Sequence, residues 1–385
     1  MTETFFSPCP RGLEQPLADE LAELGAAAIA LGDAGVFFRG DWPLCYRINL
    51  WSRIASRVLW QVEKSAYRGE EDVYETALKL PWQDWFDVDQ TIAVSVNARK
   101  CPLRSLDFVT LRIKDAVCDH FRAQTFERPS VDTRAPDARI FAFLNETTVT
   151  FYVDTSGEAL FKRGRRGEVV EAPLKENLAA GILRLTGWQP GVPLLDPMCG
   201  GGTFLLEAAQ ISLDMAPGLD RAFGFEKLRG FRSHDWQQIK SAAASMRQPP
   251  CRLPLYGSDL YGSALKLART NAAQLGLADA VQFNQANVLE VNPPESSGIW
   301  ITNPPYGVRI GEQDELTALY PQLGHVLKQR FAGWTAYFFT ADLSLAKLIR
   351  LQASKRTPLY NGPLECRLFE YRMIAGSARV KTAMP

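Results

Sequence analysis

The chain has 385 residues, 46% of them apolar and 22% charged, and its 43 basic and 43 acidic side chains give a formal net charge of zero. That length allows two or three domains with cores of their own, while the charge balance excludes a global basic field and leaves polyanion binding to local patches. No apolar run reaches the ~20 residues that span a bilayer, and the start, MTETFFSPCPRGLEQ, lacks the segments of a signal peptide, so a cytoplasmic protein is expected.

Cys9, Cys45, Cys101, Cys118, Cys199, Cys251 and Cys366 form no C-x-x-C pair, and His120, His234 and His325 stand apart from one another. Reduced thiols are expected, with no metal centre and no histidine-based triad.

Taken in order, Leu13, Leu17, Leu21 and Leu24 mark a helix closed by Gly25. A strand GVFFRG (35–40) follows, then a helix capped by Asp41 that runs through Leu44, Ile48 and Trp51, then a strand RVLWQVEK (57–64). TIAVSV (91–96) places Ile92, Val94 and Val96 on one face. After Ser105, Leu106, Val109, Ile113, Val117 and Phe121 recur at helical spacing. RIFAFL (139–144) and TVTFYVD (148–154) make a hairpin about Asn145–Glu146. This half reads as an α+β module.

The second half alternates strands and helices, the pattern of a doubly wound, mostly parallel sheet. Its strands are VPLLD (192–196), LPLYGSD (253–259), VQF (281–283), GIWIT (298–302), WTAYFFT (334–340) and CRLFEYRM (366–373), with a helix from Ser263 to Gly276. The boundary between the halves falls near 155–175, in a stretch rich in glycine and basic residues.

The sharpest motif is LLDPMCGGGTFLLEAAQ, in which a strand ends in Asp196, turns on Gly200-Gly201-Gly202 and enters a helix near Thr203. Ligands of such sheets bind beyond the strands' carboxyl ends, and glycines there let the backbone approach them. Leu205 occupies the third glycine position of a dinucleotide fingerprint and no G-K-[ST] follows, so neither a pyrophosphate site nor a P-loop is indicated. A carboxylate before the turn suits a cationic or amine-bearing ligand. The bland alternative is an ordinary glycine turn. Asp259 closes the next strand, where an acid can hold two ribose hydroxyls or merely cap a helix. Asn287, after the third strand, could face an adenine edge.

Asn303-Pro304-Pro305-Tyr306 follows the strand GIWIT directly. The prolines stiffen the loop. The Asn303 side-chain oxygen and the Pro304 carbonyl can accept from an exocyclic NH2, which holds that weakly nucleophilic nitrogen in place, and Tyr306 offers a face to a flipped base. Positioning and electrostatics then suffice, with no strong base. A Pro-Pro loop ending a strand is the bland alternative for these residues alone.

With these residues, the second half resembles class I S-adenosylmethionine-dependent methyltransferases bearing the Asn-Pro-Pro-Tyr signature, and the first resembles the ferredoxin-like plus THUMP module of RNA-modifying enzymes. Together they resemble the THUMP-containing bacterial 23S rRNA guanine-N2 methyltransferases over nearly the whole chain. The resemblance is carried by RPSVDTRAPDARIFAFL (128–144), LFKRGRRGEVVEAPLKENLAAGIL (160–183), DPMCGGGTFLLEAA, APGLDRAFGFEK (216–227), NPPYGVRIG and NGPLECRLFEYRM. It implies an α/β fold, a Rossmann-like seven-stranded methyltransferase sheet (156–385) preceded by a ferredoxin-like subdomain (1–65) and a THUMP domain (66–155).

For the site it implies that Asp196, Pro197, Met198, Cys199, Gly200, Gly202 and Thr203 surround the methionine part of S-adenosyl-L-methionine. Asp259 and Leu260 would hold the ribose side, Asn287 and Val288 the adenine, and 173–177 would close over the cofactor. Asn303, Pro304, Pro305 and Tyr306 would hold the target amine, with Asn303 also bordering the cofactor. Asn287 stands where the family usually has Asp, and Asn can still accept from the adenine amine; Arg165 replaces a tyrosine in the usual K-R-G-Y-R, so the resemblance does not carry a stacking role to that position. Some relatives continue into a second methyltransferase domain and this sequence ends without one, so a single modification is expected.

For RNA contacts, Lys162, Arg163, Arg165 and Arg166 form the densest basic cluster, with no acid following until Glu168. Domain docking is the alternative use. Between Arg99 and Arg134, eight cations meet five acids, the composition of a solvated face. The same tetrapeptide also serves adenine-N6 and glutamine-N5 methylation, but the THUMP-like half directs the reading to RNA. Methylation of a tRNA guanine, or a non-catalytic assembly factor on a methyltransferase fold, are the competing readings. The sequence leaves the choice between monomer and homodimer open.

Overall fold

A computed structural model of the chain describes residues 2–163, 174–304 and 312–374. It divides into two compact units of intermingled sequence. The first comprises Met1–Cys9, Leu17–Arg165 and Ala216–Ser245, the second Pro10–Pro16, Arg166–Met215 and Met246–Pro385.

The first unit is built on strands β1 (Glu3–Pro8), β2 (Ala27–Gly32), β3 (Gly35–Gly40), β4 (Leu59–Ala66), β5 (Ile92–Ala98), β6 (Ala138–Leu144) and β7 (Thr148–Asp154). They form one sheet in the order β2-β3-β1-β4-β7-β6-β5, antiparallel except for the β5–β6 pair. Helices α1 (Glu14–Glu23), α2 (Trp42–Trp51), α3 (Glu70–Lys79) and α4 (Leu106–Thr125) accompany it. The expected caps are present, Asp41 Oδ1 accepting from Leu44 N at 2.9 Å and Ser105 Oγ from Phe108 N at 3.2 Å. Asn145 turns the β6–β7 hairpin by accepting from the amides of Thr147 and Thr148 at 2.9 and 2.7 Å.

The segment Ala216–Ser245 follows the first methyltransferase-type strand in sequence yet packs with the first unit. Aromatic burial accounts for this. Phe225 lies 4.4 Å from Tyr46, ring to ring, and Trp236 lies 6.2 Å from it. The Phe225 amide donates to Thr155 O at 2.9 Å, and Arg221 donates to the carbonyls of Ser156, Glu158 and Ala159 at 3.4, 2.6 and 3.0 Å.

The second unit holds β8 (Leu194–Asp196), β9 (Leu255–Asp259), β10 (Gln282–Gln285), β11 (Gly298–Thr302), β12 (Trp334–Thr340), β13 (Lys355–Asn361) and β14 (Leu364–Arg372). The order is β10-β9-β8-β11-β12-β14-β13, parallel except for β14, which runs against both neighbours. Helices α5 (Glu176–Thr186), α6 (Thr203–Ser212), α7 (Ser233–Met246, almost all of it in the first unit), α8 (Gly262–Gln274), α9 (Glu312–Arg330) and α10 (Leu345–Leu348) complete the set. This is the Rossmann-like methyltransferase sheet. The chain moves outward from β8 through β9 to β10, then returns to β11 on β8's other side. That reversal makes β8 the switch point at which ligands of such sheets bind.

The central strands are buried on both faces and read as unbroken apolar runs. Trp300, Phe331, Trp334 and Phe338 anchor the cluster under α9 and α10. No described helix is long and apolar enough to cross a membrane. The seven cysteines are free thiols, and among the described residues no group of three or more His, Cys, Asp or Glu could hold a metal.

Candidate active site

β8, β9 and β11 bring three motif residues to one end of the second unit's sheet. β8 stops at Asp196, β9 at Asp259, and β11 at Thr302, directly before Asn303-Pro304. β8 lies between the other two, so the acids sit on adjacent strands and the asparagine on the far neighbour.

Asp196 is 2% exposed and accepts from Met198 N at 3.2 Å. Burial pushes its carboxyl up to about 8, aided by the nearby Asp259 charge and opposed by the Met198 amide and the Thr302 hydroxyl. Thr302 is fully buried, and its Oγ1 makes no hydrogen bond of regular geometry. Nothing in the sequence reading singled out Thr302, although a hydroxyl between an apolar strand and Asn303 was the available signal.

Asp259 braces the glycine turn, Oδ2 accepting from Gly200 N at 2.9 Å and Oδ1 from Tyr261 N at 3.0 Å. Each oxygen keeps a further lone pair for a ligand. Leu260 and Tyr261 beside it are 53% and 67% exposed, apolar surface of the kind that accepts a flat ring.

The turn is closed by Gly202 N to Cys199 O at 2.8 Å, with φ of +51° at Gly200 and +81° at Gly202, the left-handed region where a side chain strains the backbone. A Cβ on Gly200 would meet nothing within 4 Å, so the turn presents open backbone there, whereas one on Gly202 would lie 3.3 Å from Phe283. Cys199 is 6% exposed, and burial raises its thiol, so it remains protonated and is no nucleophile at neutral pH. Pro197 is buried; Met198 and Thr203, which opens α6, are half-buried.

Asn287 is half-buried, and its Oδ1 accepts from Leu289 N at 3.0 Å, so one lone pair of the oxygen expected to face an adenine already stabilises a turn. Val288 belongs by its side chain to the hydrophobic cluster. Asn177 is buried at the start of α5, whereas Pro173 lies outside the described residues. Asn303 is half-buried and Pro304 buried; Pro305 and Tyr306 lie outside the described residues.

The basic cluster needs correcting where it is described. Arg163 is 8% exposed and donates to Arg53 O at 3.2 Å, so it serves packing within the first unit. Lys162 is exposed and pairs at 3.5 Å with Glu158, an acid four residues upstream that is itself exposed, so it stays accessible. Arg165 and Arg166 lie outside the described residues.

Two buried carboxylates flanking an open glycine turn, with exposed apolar side chains beside the second, fit a ligand carrying an amine, vicinal hydroxyls and a flat ring. Comparison with known proteins agrees. Residues 163–370 match the family described as RMKL-like, methyltransferase domain, residues 67–154 a THUMP domain, and residues 4–59 the RlmL ferredoxin-like domain. A protein of Synechocystis sp. named "Putative RNA methyltransferase" is 39% identical over 373 residues, 97% of each chain. The "Ribosomal RNA large subunit methyltransferase K/L" of Shewanella baltica is 39% identical over 98% of this chain but 54% of its own length, so the chain spans about half of that relative. Among solved structures, a "putative methyltransferase complexed with SAH" superposes with a TM-score of 0.87 at 28% identity, covering 97% of this chain and 98% of that one.

Proposed function

Since the chain belongs to the RMKL-like methyltransferase domain family, we propose that it is a cytoplasmic enzyme methylating the exocyclic N2 of a guanine in RNA, 23S rRNA foremost, with S-adenosyl-L-methionine as donor. The observation that carries this reading is the convergence of Asp196, Asp259 and the Gly200–Gly202 turn beside Asn303-Pro304 at adjacent strand ends. We further propose modules 1–65, 66–155 and 156–385 as ferredoxin-like, THUMP and catalytic, the catalytic module lending Ala216–Ser245 to the first unit.

The chain's own residues divide the work. Asp196 receives the donor's ammonium group, with Pro197, Met198, Cys199 and Thr203 shaping the wall around its methionine part. Gly200 and Gly202 let the backbone come close. Asp259 holds ribose hydroxyls on the lone pairs its turn bonds leave, with Leu260 alongside, and Asn287 and the main chain of Val288 border the adenine. Bound donor supplies a methyl group on a sulfonium. Asn303 and the Pro304 carbonyl accept from the guanine NH2 and orient its lone pair, while Pro305 and Tyr306 complete the loop. The protonated Cys199 thiol is consistent with direct transfer without a covalent enzyme adduct. The RNA is held by the THUMP module, together with Lys162, Arg165 and Arg166 of the linker.

Asn303→Ala is the test. It should bind S-adenosylhomocysteine within about twofold of the unsubstituted protein and lose about 100-fold or more in transfer to RNA, because only the orientation of the amine is removed. Transfer at the unsubstituted rate would place the chemistry elsewhere.

A further inference from the structure

Several cations of the first unit are paired with carboxylates. Arg57 pairs with Asp154, Arg99 with Asp33, Arg112 with Glu71, and Lys227 with Asp137. The second unit carries a stretch with many cations and few acids. Between Leu316 and Arg356 the sequence has six cations (Lys328, Arg330, Lys347, Arg350, Lys355, Arg356) and a single acid, Asp342. That excess of cations is balanced by an excess of acids elsewhere in the chain, among them Glu312, Asp314 and Glu315 just before it in sequence. Asp342 is occupied, accepting from the amide and hydroxyl of Ser344 at 2.9 and 2.6 Å. Among the described residues none of Lys328, Lys347, Arg350, Lys355 and Arg356 has a carboxylate within ion-pair distance, and all five are exposed.

Four of these cations share one face, Arg356 joining Lys328, Lys347 and Arg350 because it lies over the Phe369 ring of the cluster beneath α9 and α10, whereas Lys355, set opposite Glu370 in the strand register, belongs to the sheet's other face. α9 and the 345–351 segment contribute side chains to the same buried cluster. Their backbones touch closely enough that a Cβ on Gly324 would lie 1.9 Å from Ile349 O. Lys328 Nζ donates to Arg350 O at 3.1 Å, which brings the end of α9 beside α10. Leu345 and Ile349 are fully buried, so the segment is anchored while Lys347 and Arg350 project to solvent. Like charges gathered on an anchored surface repel one another, a cost that an anionic partner recovers.

We propose that this α9–α10–β13 face, with Lys328, Lys347, Arg350 and Arg356, is a docking surface for the phosphodiester backbone of the substrate RNA, in addition to the THUMP module. The inference rests on the RNA-methyltransferase reading. A phosphate backbone is the occupant because the surface offers exposed cations with no carboxylate in ion-pair distance among the described residues, the complement of a polyanion. Such contacts fix register and orientation without reading sequence.

The test is salt-dependent binding of the full chain to a 23S rRNA fragment, comparing the unsubstituted protein with Lys347→Ala/Arg350→Ala. Losing two phosphate contacts lowers the slope of log K against log salt by about 1.8 on a duplex, so the variant's deficit at 50 mM salt exceeds that at 200 mM by about 12-fold. S-adenosylhomocysteine affinity should be unchanged, which also reports that the fold is intact. Lys347→Gln/Arg350→Gln provides a second pair should the first misfold. Equal slopes and affinities would overturn the surface. So would a variant whose only loss is binding to phosphatidylserine vesicles. If the unsubstituted protein binds no RNA while binding S-adenosylhomocysteine, the RNA reading itself fails, and this surface with it.

Discussion

Asp196 is the group whose ionisation ties ligand binding to pH. Its carboxyl is pushed up to about 8 by burial, so at pH 7 about 0.9 of the molecules hold it protonated in the ligand-free protein. An ammonium group bound against it requires the carboxylate. Binding at pH 7 should therefore release about 0.9 proton from this residue, and ionising it there costs about 1.4 kcal/mol. The ligand's own α-ammonium group, which sits beside its carboxylate, is already protonated at pH 7 and takes up essentially no proton on binding. Asp196→Asn removes the release. Calorimetric titration with S-adenosylhomocysteine in buffers of different ionisation enthalpy measures it, and the two proteins should differ by about 0.9 proton at pH 7. Should the variant bind too weakly, the unsubstituted protein still carries the signal: its affinity should fall up to about tenfold per pH unit below 8. Equal proton counts, or an affinity flat between pH 6 and 8, would refute the assignment of Asp196 to the ligand's amine.

Three further outcomes follow from the same geometry. Thr302→Val removes a hydroxyl that opposes the rise at Asp196, so S-adenosylhomocysteine affinity at pH 7 should drop about three- to tenfold, and Thr302→Ser should restore it. Gly257→Ala would set a Cβ 2.7 Å from both Leu205 and Phe283; overpacking of this kind costs about 1–3 kcal/mol, and thermal melting should register it as a lower transition. In the ligand-free protein, the carboxyl of Asp196 moves from its ordinary 3.8 to about 8. The folded state then holds its proton more tightly than the unfolded chain, and this group's contribution to stability is lost as pH rises from 3.8 towards 8. Asp196→Asn should accordingly stabilise the chain relative to the unsubstituted protein above pH 8, with the difference shrinking to nothing below pH 4 in urea titrations.

Much of this was legible in the sequence because local chemistry carried it. Asp196, the glycine turn, Asp259 and Asn303 each follow an apolar strand, and strand ends are where a doubly wound sheet gathers its ligands. Asp41, Ser105 and Asn145 announced their caps and turn by residue type. What escaped depended on distant contacts or on diluted patterns. β13 contains Pro358 and begins with two cations, so it did not read as a strand. β1 and β2 are short, and β2 is largely exposed, which blurs the alternation. α8 starts at Gly262, one residue before the expected start at Ser263, with Tyr261 at its cap. The placement of Ala216–Ser245 rests on aromatic contacts with Tyr46, far away in sequence. Arg163 looked like a phosphate ligand in a run of cations and is buried on Arg53 O; periodicity cannot separate those fates.

The reaction proposed for this chain is methyl transfer to a guanine amine in RNA. It is tested most directly by incubating the protein with labelled S-adenosylmethionine and total RNA from a strain lacking the gene, then analysing nucleosides by mass spectrometry. N2-methylguanosine should appear in the 23S fraction and be absent with Asn303→Ala. Label on N6-methyladenosine, or no label in any RNA from a preparation that binds S-adenosylhomocysteine, would contradict it.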